Sequence, residues 1–315
     1  MGKILHACAI FFCAAIALTS ATGGDNNALQ RAAGETHAGL DTRMRNVEYH
    51  FSDRIAVHIQ TLTGKLVTTP GHSVPAFDDA NSFALELTSA RIDVPPDSLA
   101  AALNEHVFAA SDAPLKSIRA QTDGEALKIS GKLHSKGDIP FEAKGMLSLD
   151  PDGQIRLHVE KVKAAHIPAT KLMDLLGVTL SNLIHTKSVQ GIRTEGDDLI
   201  LDPEKTFPPP QIHGKLASIH NDGLTITLQY GDAASSEPSH DAGNYMSYRG
   251  TTPLKFGKLT MEPTDLTLLD MNPADPFDFY LDRYKDQLVA GYTKTTPSFG
   301  LKVYMRDVNK LPAKK

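Results

Sequence analysis

Alternation of apolar and polar residues recurs along the chain and constrains its fold more than any other feature. In the run from Arg54 to Thr61, Ile55, Val57 and Ile59 fall on one face, with Arg54, Ala56, His58 and Gln60 on the other. Phe83, Leu85 and Leu87 repeat the pattern, as do Ile155, Leu157 and Val159, and later Leu224, Ile226, Leu228 and Tyr230. Successive side chains of a strand point to opposite faces, so this period predicts half-buried strands of an antiparallel sheet with one wet side. Strands are also expected over Leu115 to Gln121, Leu127 to Leu133 and Phe141 to Leu149. Between the runs, Thr69-Pro70-Gly71, Asp123-Gly124, Pro151-Asp152-Gly153 and Asn221-Asp222-Gly223 supply turn chemistry.

Two segments change the period. Ile92-Asp93-Val94-Pro95-Pro96-Asp97-Ser98 opens a run in which Leu99, Ala102, Leu103, His106 and Val107 recur at steps of three and four. The stretch from His166 to Ile184 does the same with Leu172, Leu175, Leu176, Leu180, Leu183 and Ile184, and Pro168 fits its first turn. Prolines opening such runs predict two amphipathic helices, because a first-turn residue has no intrahelical use for its N–H. Strands with interspersed helices give the class α+β. Each helix is followed by a strand, an acidic turn and a strand: Asp123-Gly124-Glu125-Ala126-Leu127 after the first, Glu195-Gly196-Asp197-Asp198-Leu199 after the second. A doubled unit is expected, its copies packing on each other rather than stacking as a solenoid. The second copy runs on through Phe207-Pro208-Pro209-Pro210, a stiff extended connector.

The first residues have the form of a targeting signal: Lys3, an apolar run from Ile4 to Leu18, and the small residues Thr19-Ser20-Ala21. Residues 1–21 are read as a signal peptide, and export to the periplasm or cell envelope follows. A retained anchor is the weaker reading, since a bilayer span needs roughly 20 apolar residues. Both cysteines, Cys8 and Cys13, lie inside this segment, so the mature chain has no thiol for a disulfide, a zinc site or a nucleophile. From Thr22 to about Asp41 the Gly-, Ala-, Asn- and Thr-rich sequence reads as a disordered leader. A net charge of −5 with mixed signs argues against a nucleic-acid partner, which calls for a basic face.

After the loop from Gly231 to Gly243, the last part of the chain (244–315) is expected to extend or cap the main sheet. Leu254 to Met261 and Leu266 to Leu269 read as strands. Asp275 as N-cap and Pro276 at N1 lead a stripe of Phe277, Tyr280, Leu281, Tyr284 and Leu288 that reads as a helix. Leu288 to Tyr292 and Phe299, Leu301, Val303 and Met305 read as two final strands.

No G-x-S-x-G, H-E-x-x-H, Walker A or G-x-G-x-x-G motif occurs. Histidines such as His58 and His158 sit on polar strand faces, and the acidic groups Asp78-Asp79, Asp197-Asp198 and Asp270 to Asp278 read as turn and cap chemistry. The expected function is therefore non-catalytic, with no cofactor and no metal.

The run from about Arg54 to Tyr230 resembles the periplasmic lipid-binding proteins of the LmeA type and, more distantly, the tubular lipid-binding (TULIP) superfamily. The helix starts at Ile92 and Ile167, the strand Gly196 to Leu199 and the closing Asn-Asp-Gly-Leu-x-Ile at Asn221 to Ile226 carry the resemblance. It implies a long, curved antiparallel sheet wrapped around two amphipathic helices, with an apolar groove that accepts acyl chains. The lipid-binding-like domain is set at residues 42–230, leaving out the leader and the C-terminal seventy or so residues.

On that resemblance, Leu99, Leu103, Val107, Leu172, Leu175, Leu176, Leu183 and Ile184 line the groove, with Ile155, Leu157, Val159, Leu224, Ile226 and Leu228 opposite them. The ligand is a phospholipid or another amphiphile with acyl chains, reached by transient contact with a membrane surface, and transfer of lipid within the envelope is the expected use. The alternative expectation is a structural or interaction protein of the cell envelope with a filled core. A hydrolase using scattered His and Asp residues is a third, weakened by the absent motifs.

Overall fold

The computed structural model describes residues 39–134, 137–164, 171, 191–232 and 243–311. Of the described residues 56% are strand and 13% helix, an α+β fold dominated by sheet. The segment read as a signal peptide, most of the stretch read as a leader, and His166 to Ile184 apart from Lys171 lie outside the described residues.

Three long antiparallel strands, β1 (Gly39–His50), β2 (Ala56–Thr68) and β3 (Phe83–Val94), form the spine. β1 begins at Gly39, inside the stretch whose composition reads as leader. Both outer edges of this spine are shared. Along β3, β10 (Gln211–His213) pairs with Ala84 to Glu86, and β12 (Ile226–Tyr230) pairs with Ala90 to Val94. β11 (Leu216–Asn221) adds to β12. Along β1, β13 (Tyr245–Gly250) takes the residues before Asn46, and β17 (Phe277–Tyr280) runs parallel to those after it. β16 (Thr264–Asp270), β19 (Leu301–Met305) and β18 (Tyr292–Thr295) continue outward from β13.

A second sheet of six strands has the order β4-β5-β6-β7-β9-β8: β4 (Leu115–Asp123), β5 (Ala126–His134), β6 (Asp138–Leu149), β7 (Ile155–Ala164), β8 (Ile192–Glu195) and β9 (Asp198–Leu201). The two hairpins with acidic turns, β4–β5 and β8–β9, thus form opposite edges of one sheet. β14 (Leu254–Phe256) and β15 (Leu259–Met261) make a small separate hairpin. Three short helices are described: α1 (Pro96–Ala102), continued by a π-helical turn Leu103–Val107, then α2 (Pro203–Thr206) and α3 (Tyr284–Ala290).

The helix expected from Asp275 is replaced by a strand and a later helix. Phe277 and Phe279 are both fully buried, which is the alternation of a strand, and the backbone of Phe277–Tyr280 pairs with Val47–His50. α3 begins only at Tyr284. Tyr284 and Phe279 join Phe77, Tyr248 and Phe256 in an aromatic cluster, Phe77 lying 5.2 to 6.3 Å from the other four rings. Tilted and edge-on rings at such separations add about 0.5–1.5 kcal/mol per pair to the burial itself.

The two sheets meet through their turns as well as their faces. Asn221 donates from Nδ2 to the carbonyls of Glu125 and Ala126, at 3.1 and 3.0 Å, and the Thr122 hydroxyl donates to the Gly223 carbonyl at 2.6 Å. These bonds tie the β11–β12 turn to the β4–β5 turn and close one end of the space between the sheets.

Candidate functional site

The space between the sheets is the site. β12 and the end of β3 present Ile226, Leu228 and Val94 from the long sheet, and β5, β6, β7 and β9 present the inward alternates of the second sheet. α1 enters from the side with Leu99 and Leu103, while Pro203 and Phe207 close the other flank. The resulting concavity encloses about 550 Å³ of non-atom space, including the part open to solvent. None of its lining residues carries a charge. The one hydroxyl among them, on Thr206, is spent on the Asp202 carbonyl at 2.8 Å. Apolar hollows of this kind stay dry, because water needs two or more polar partners to be held there.

Of the residues expected to line a groove, the structure brings together Leu99, Leu103, Ile155, Leu157, Ile226 and Leu228. Val159 is half-buried against the same core without lining the hollow. Val107 is buried elsewhere. It ends a π-helical turn, whose wider winding rotates it off the stripe that α1 begins. Leu224 is a correction: it is 82% exposed. The Asp222 carboxylate accepts the N–H groups of Leu224 and Thr225 at 2.8 and 2.9 Å, so the turn extends past Leu224 and β12 starts only at Ile226. Leu172, Leu175, Leu176, Leu183 and Ile184 lie outside the described residues.

Sequence reasoning does not assign Leu127, Ile129, Leu147, Leu199, Leu201 or Ile219 to the site, yet all six line it. The signal is present. Leu127 and Ile129, and Leu199 and Leu201, have the same two-residue spacing as Ile155 and Leu157, on strands of the same sheet. Phe207 reads in the sequence only as part of a stiff connector, and its ring in fact stacks 5.8 Å from Phe51.

A second, smaller hollow adjoins the first. Val94, Pro203, Phe207 and Leu228 wall both, and Glu204 and Tyr230 bring polar groups to the second, which measures about 380 Å³ including its open side. The Glu204 carboxylate accepts from His213 Nδ1 at 2.8 Å and more weakly from the Gly214 N–H at 3.4 Å. Burial pushes the Tyr230 phenol up, and the negative charges of Glu204 and Asp202 add to the shift.

Titratable groups elsewhere follow the sheet. Asp278, Glu48, His58, Asp93 and Thr227 stand opposite one another across five strands, on the face away from the hollow. Burial raises the Glu48 carboxyl above its usual range. Asp93 accepts from Gln60 Nε2 at 2.5 Å and from the Thr227 hydroxyl at 2.7 Å. Among the described residues no group of three His, Cys, Asp or Glu side chains is placed to hold a metal ion.

Asp270 carries the largest resolved carboxyl shift. Desolvation pushes its carboxyl up to about 6, with Asp307 and Asp275 adding repulsion and the Asn272 N–H opposing it from 2.8 Å. A folded-state value above the unfolded one contributes stability that is complete below about pH 4 and is lost as pH rises through about 6. After a discount for solvent screening, lowering pH from about 7.5 to 5 is expected to strengthen this group's contribution by roughly 1 kcal/mol. In Asp270→Asn that part of the dependence should vanish. Denaturant melts of both proteins across this range would check it, and parallel pH profiles would count against the assignment.

No family model, no curated protein and no solved structure matches this chain. Among the described residues, no helix is long and apolar enough to cross a membrane.

Proposed function

We propose that the chain is an exported, non-catalytic lipid-binding protein of the cell envelope, which holds an acyl chain of a phospholipid or similar amphiphile between its two sheets. The supporting observation is the hollow itself, lined without a charged group by side chains from seven strands and two helices. Acyl chains need little else, since each buried methylene gains about 0.8 kcal/mol without any directed contact. The resemblance to LmeA-type and tubular lipid-binding proteins, and the wrap of a curved sheet around two helices that it implies, belong to the same proposal. So do the signal-bearing leader and transient contact with a membrane surface.

The free space sets a condition. Leu127, Leu157 and Ile226 on its walls are almost wholly buried, so little of the space between the sheets stands open. An acyl chain therefore enters only as the walls part. The same closeness favours the second reading, a structural or interaction protein of the envelope whose core is simply filled.

Mass spectrometry of an organic extract of the purified protein separates the two readings. A co-purifying amphiphile near one per chain, with saturable uptake of a fluorescent acyl probe after its removal, is the expected result. No extracted lipid and no uptake would leave the filled-core reading standing alone.

A further inference from the structure

The two adjoining hollows differ in one chemical respect, and it bears on the head group of the ligand. The first is walled only by uncharged side chains. The second has one ionised side chain on its wall, Glu204, beside the phenol of Tyr230. Neither wall includes a lysine or an arginine. The Glu204 side chain is 39% exposed, so its carboxylate stands at the boundary between the hollow and water. Val94, Pro203, Phe207 and Leu228 are common to both hollows, so the second adjoins the first and is placed to serve as its vestibule.

An amphiphile with its tail in the first hollow would have its polar end pass this carboxylate. A phosphate or carboxylate head would meet a like charge there and, among the described wall residues, no lysine or arginine. An ammonium would meet Glu204 with its second oxygen bound only at 3.4 Å, by the Gly214 N–H. Resting on the proposed lipid-binding function, we infer that the vestibule at Glu204 selects amphiphiles whose head presents a cationic amine. The Glu204–His213 pair fixes the carboxylate in place, as Nδ1 donates to one oxygen at 2.8 Å while the other accepts only the Gly214 N–H at 3.4 Å. Asp202, the other carboxylate acting on Tyr230, is neutralised by Lys205 at 2.6 Å. Glu204, partnered by a histidine instead of a lysine, is the carboxylate on the wall of the second hollow.

Calorimetric titration of the delipidated full chain at about pH 8 with decylamine, decanol and decanoate, each below its micellar concentration, tests the selection. Decylamine is expected to bind at least about fivefold tighter than decanoate, the effect of a half-exposed charge pair gained against one repelled. In Glu204→Gln the amine-over-carboxylate ratio should fall to about one. Should that variant fold poorly, added salt on the wild type should shrink the same ratio, since screening weakens exposed charge pairs. Equal or tighter binding of decanoate by the wild type, or a ratio unmoved by both the substitution and salt, overturns the inference while leaving lipid binding intact. No binding of any of the three compounds, by heat at two temperatures or by displacement of a fluorescent acyl probe, overturns the proposed function and the inference with it.

Discussion

Gln287→Leu should lower stability by roughly 3–5 kcal/mol, the largest single-residue effect expected in the C-terminal part of the chain. Gln287 is wholly buried on α3. Its Nε2 donates to the Asp278 carbonyl at 2.6 Å and the Arg306 carbonyl at 2.9 Å, and its Oε1 accepts the Tyr280 N–H at 3.0 Å. One side chain therefore satisfies three backbone groups, two on β17, which has β1 as its one strand partner among the described residues, and one on the segment after β19. Leucine fits the volume but strands all three, and each buried orphan costs about 1–3 kcal/mol. Gln287→Glu should be no better, because a carboxylate cannot donate and its burial is costly. Thermal melts would read the change as a fall on the order of 10 °C. A shift below about 2 °C would mean that water reaches these groups and that the clamp is not closed.

The part of the fold that is legible in the sequence is the part where one face stays buried over several successive alternates. Val57 and Ile59 on β2, Phe83 and Leu85 on β3 and Leu157 on β7 meet that condition locally, although β2 and β3 each shift phase farther along. β1 breaks the condition at mid-strand. Its buried residues are Leu40, Thr42 and Met44, then Val47 and Tyr49, so the period changes phase at Asn46. Asn46 has φ of 49°, in the left-handed region where asparagine is tolerated. Gln60 stands opposite on β2, where the pairing with β3 also slips by one residue. Asn46 is held by both neighbours, accepting at Oδ1 from His58 Nε2 and donating to Asn244 Oδ1, each at 2.9 Å. It is also where β1 exchanges β13 for β17 as its partner. No local pattern announces a strand whose two halves belong to different pairings. β13 is hidden for a different reason: Tyr245, Met246, Ser247 and Tyr248 are all buried, so no alternation exists to be read. In Phe277 to Leu288 the steps of three and four arise from a strand followed by a helix, and pairing with β1 decides against a continuous helix.

The site is legible at the same level. Leu99 and Leu103 are named by helical spacing, which turns both to one side, and Ile226 and Leu228 by the strand period they continue. What cannot be read is which buried faces enclose space and which interlock. Leu127 and Leu157 are each 1% exposed and both border the hollow, whereas Leu133, equally buried on the same sheet, does not. That difference arises from how two separate sheets approach, which depends on the tie between Asn221 and the β4–β5 turn rather than on any periodicity.

Two substitutions in the hollow should move ligand response in opposite directions, with the second-largest effects expected. Leu157→Ala removes a wholly buried side chain from the middle of the second sheet, at a cost of about 2–5 kcal/mol, and leaves a larger hollow. Leu147→Trp replaces a half-buried wall residue by a bulkier ring that occupies the free space, at about 1–3 kcal/mol. A ligand that binds only the folded state stabilises it by about 2.7 kcal/mol at a hundredfold excess over its dissociation constant. If the hollow is the binding site, saturating decylamine should restore much of the stability lost in Leu157→Ala, raise the wild type less, and leave Leu147→Trp nearly unmoved. The chain has no tryptophan of its own, so the introduced indole also reports directly, its emission shifting if an apolar tail displaces it. The three proteins must be compared side by side, since a detergent-like effect on the unfolded chain would move all of them together. Equal ligand-induced shifts in the three would place binding outside the hollow, and shifts near zero in all would return the space between the sheets to the status of imperfect packing.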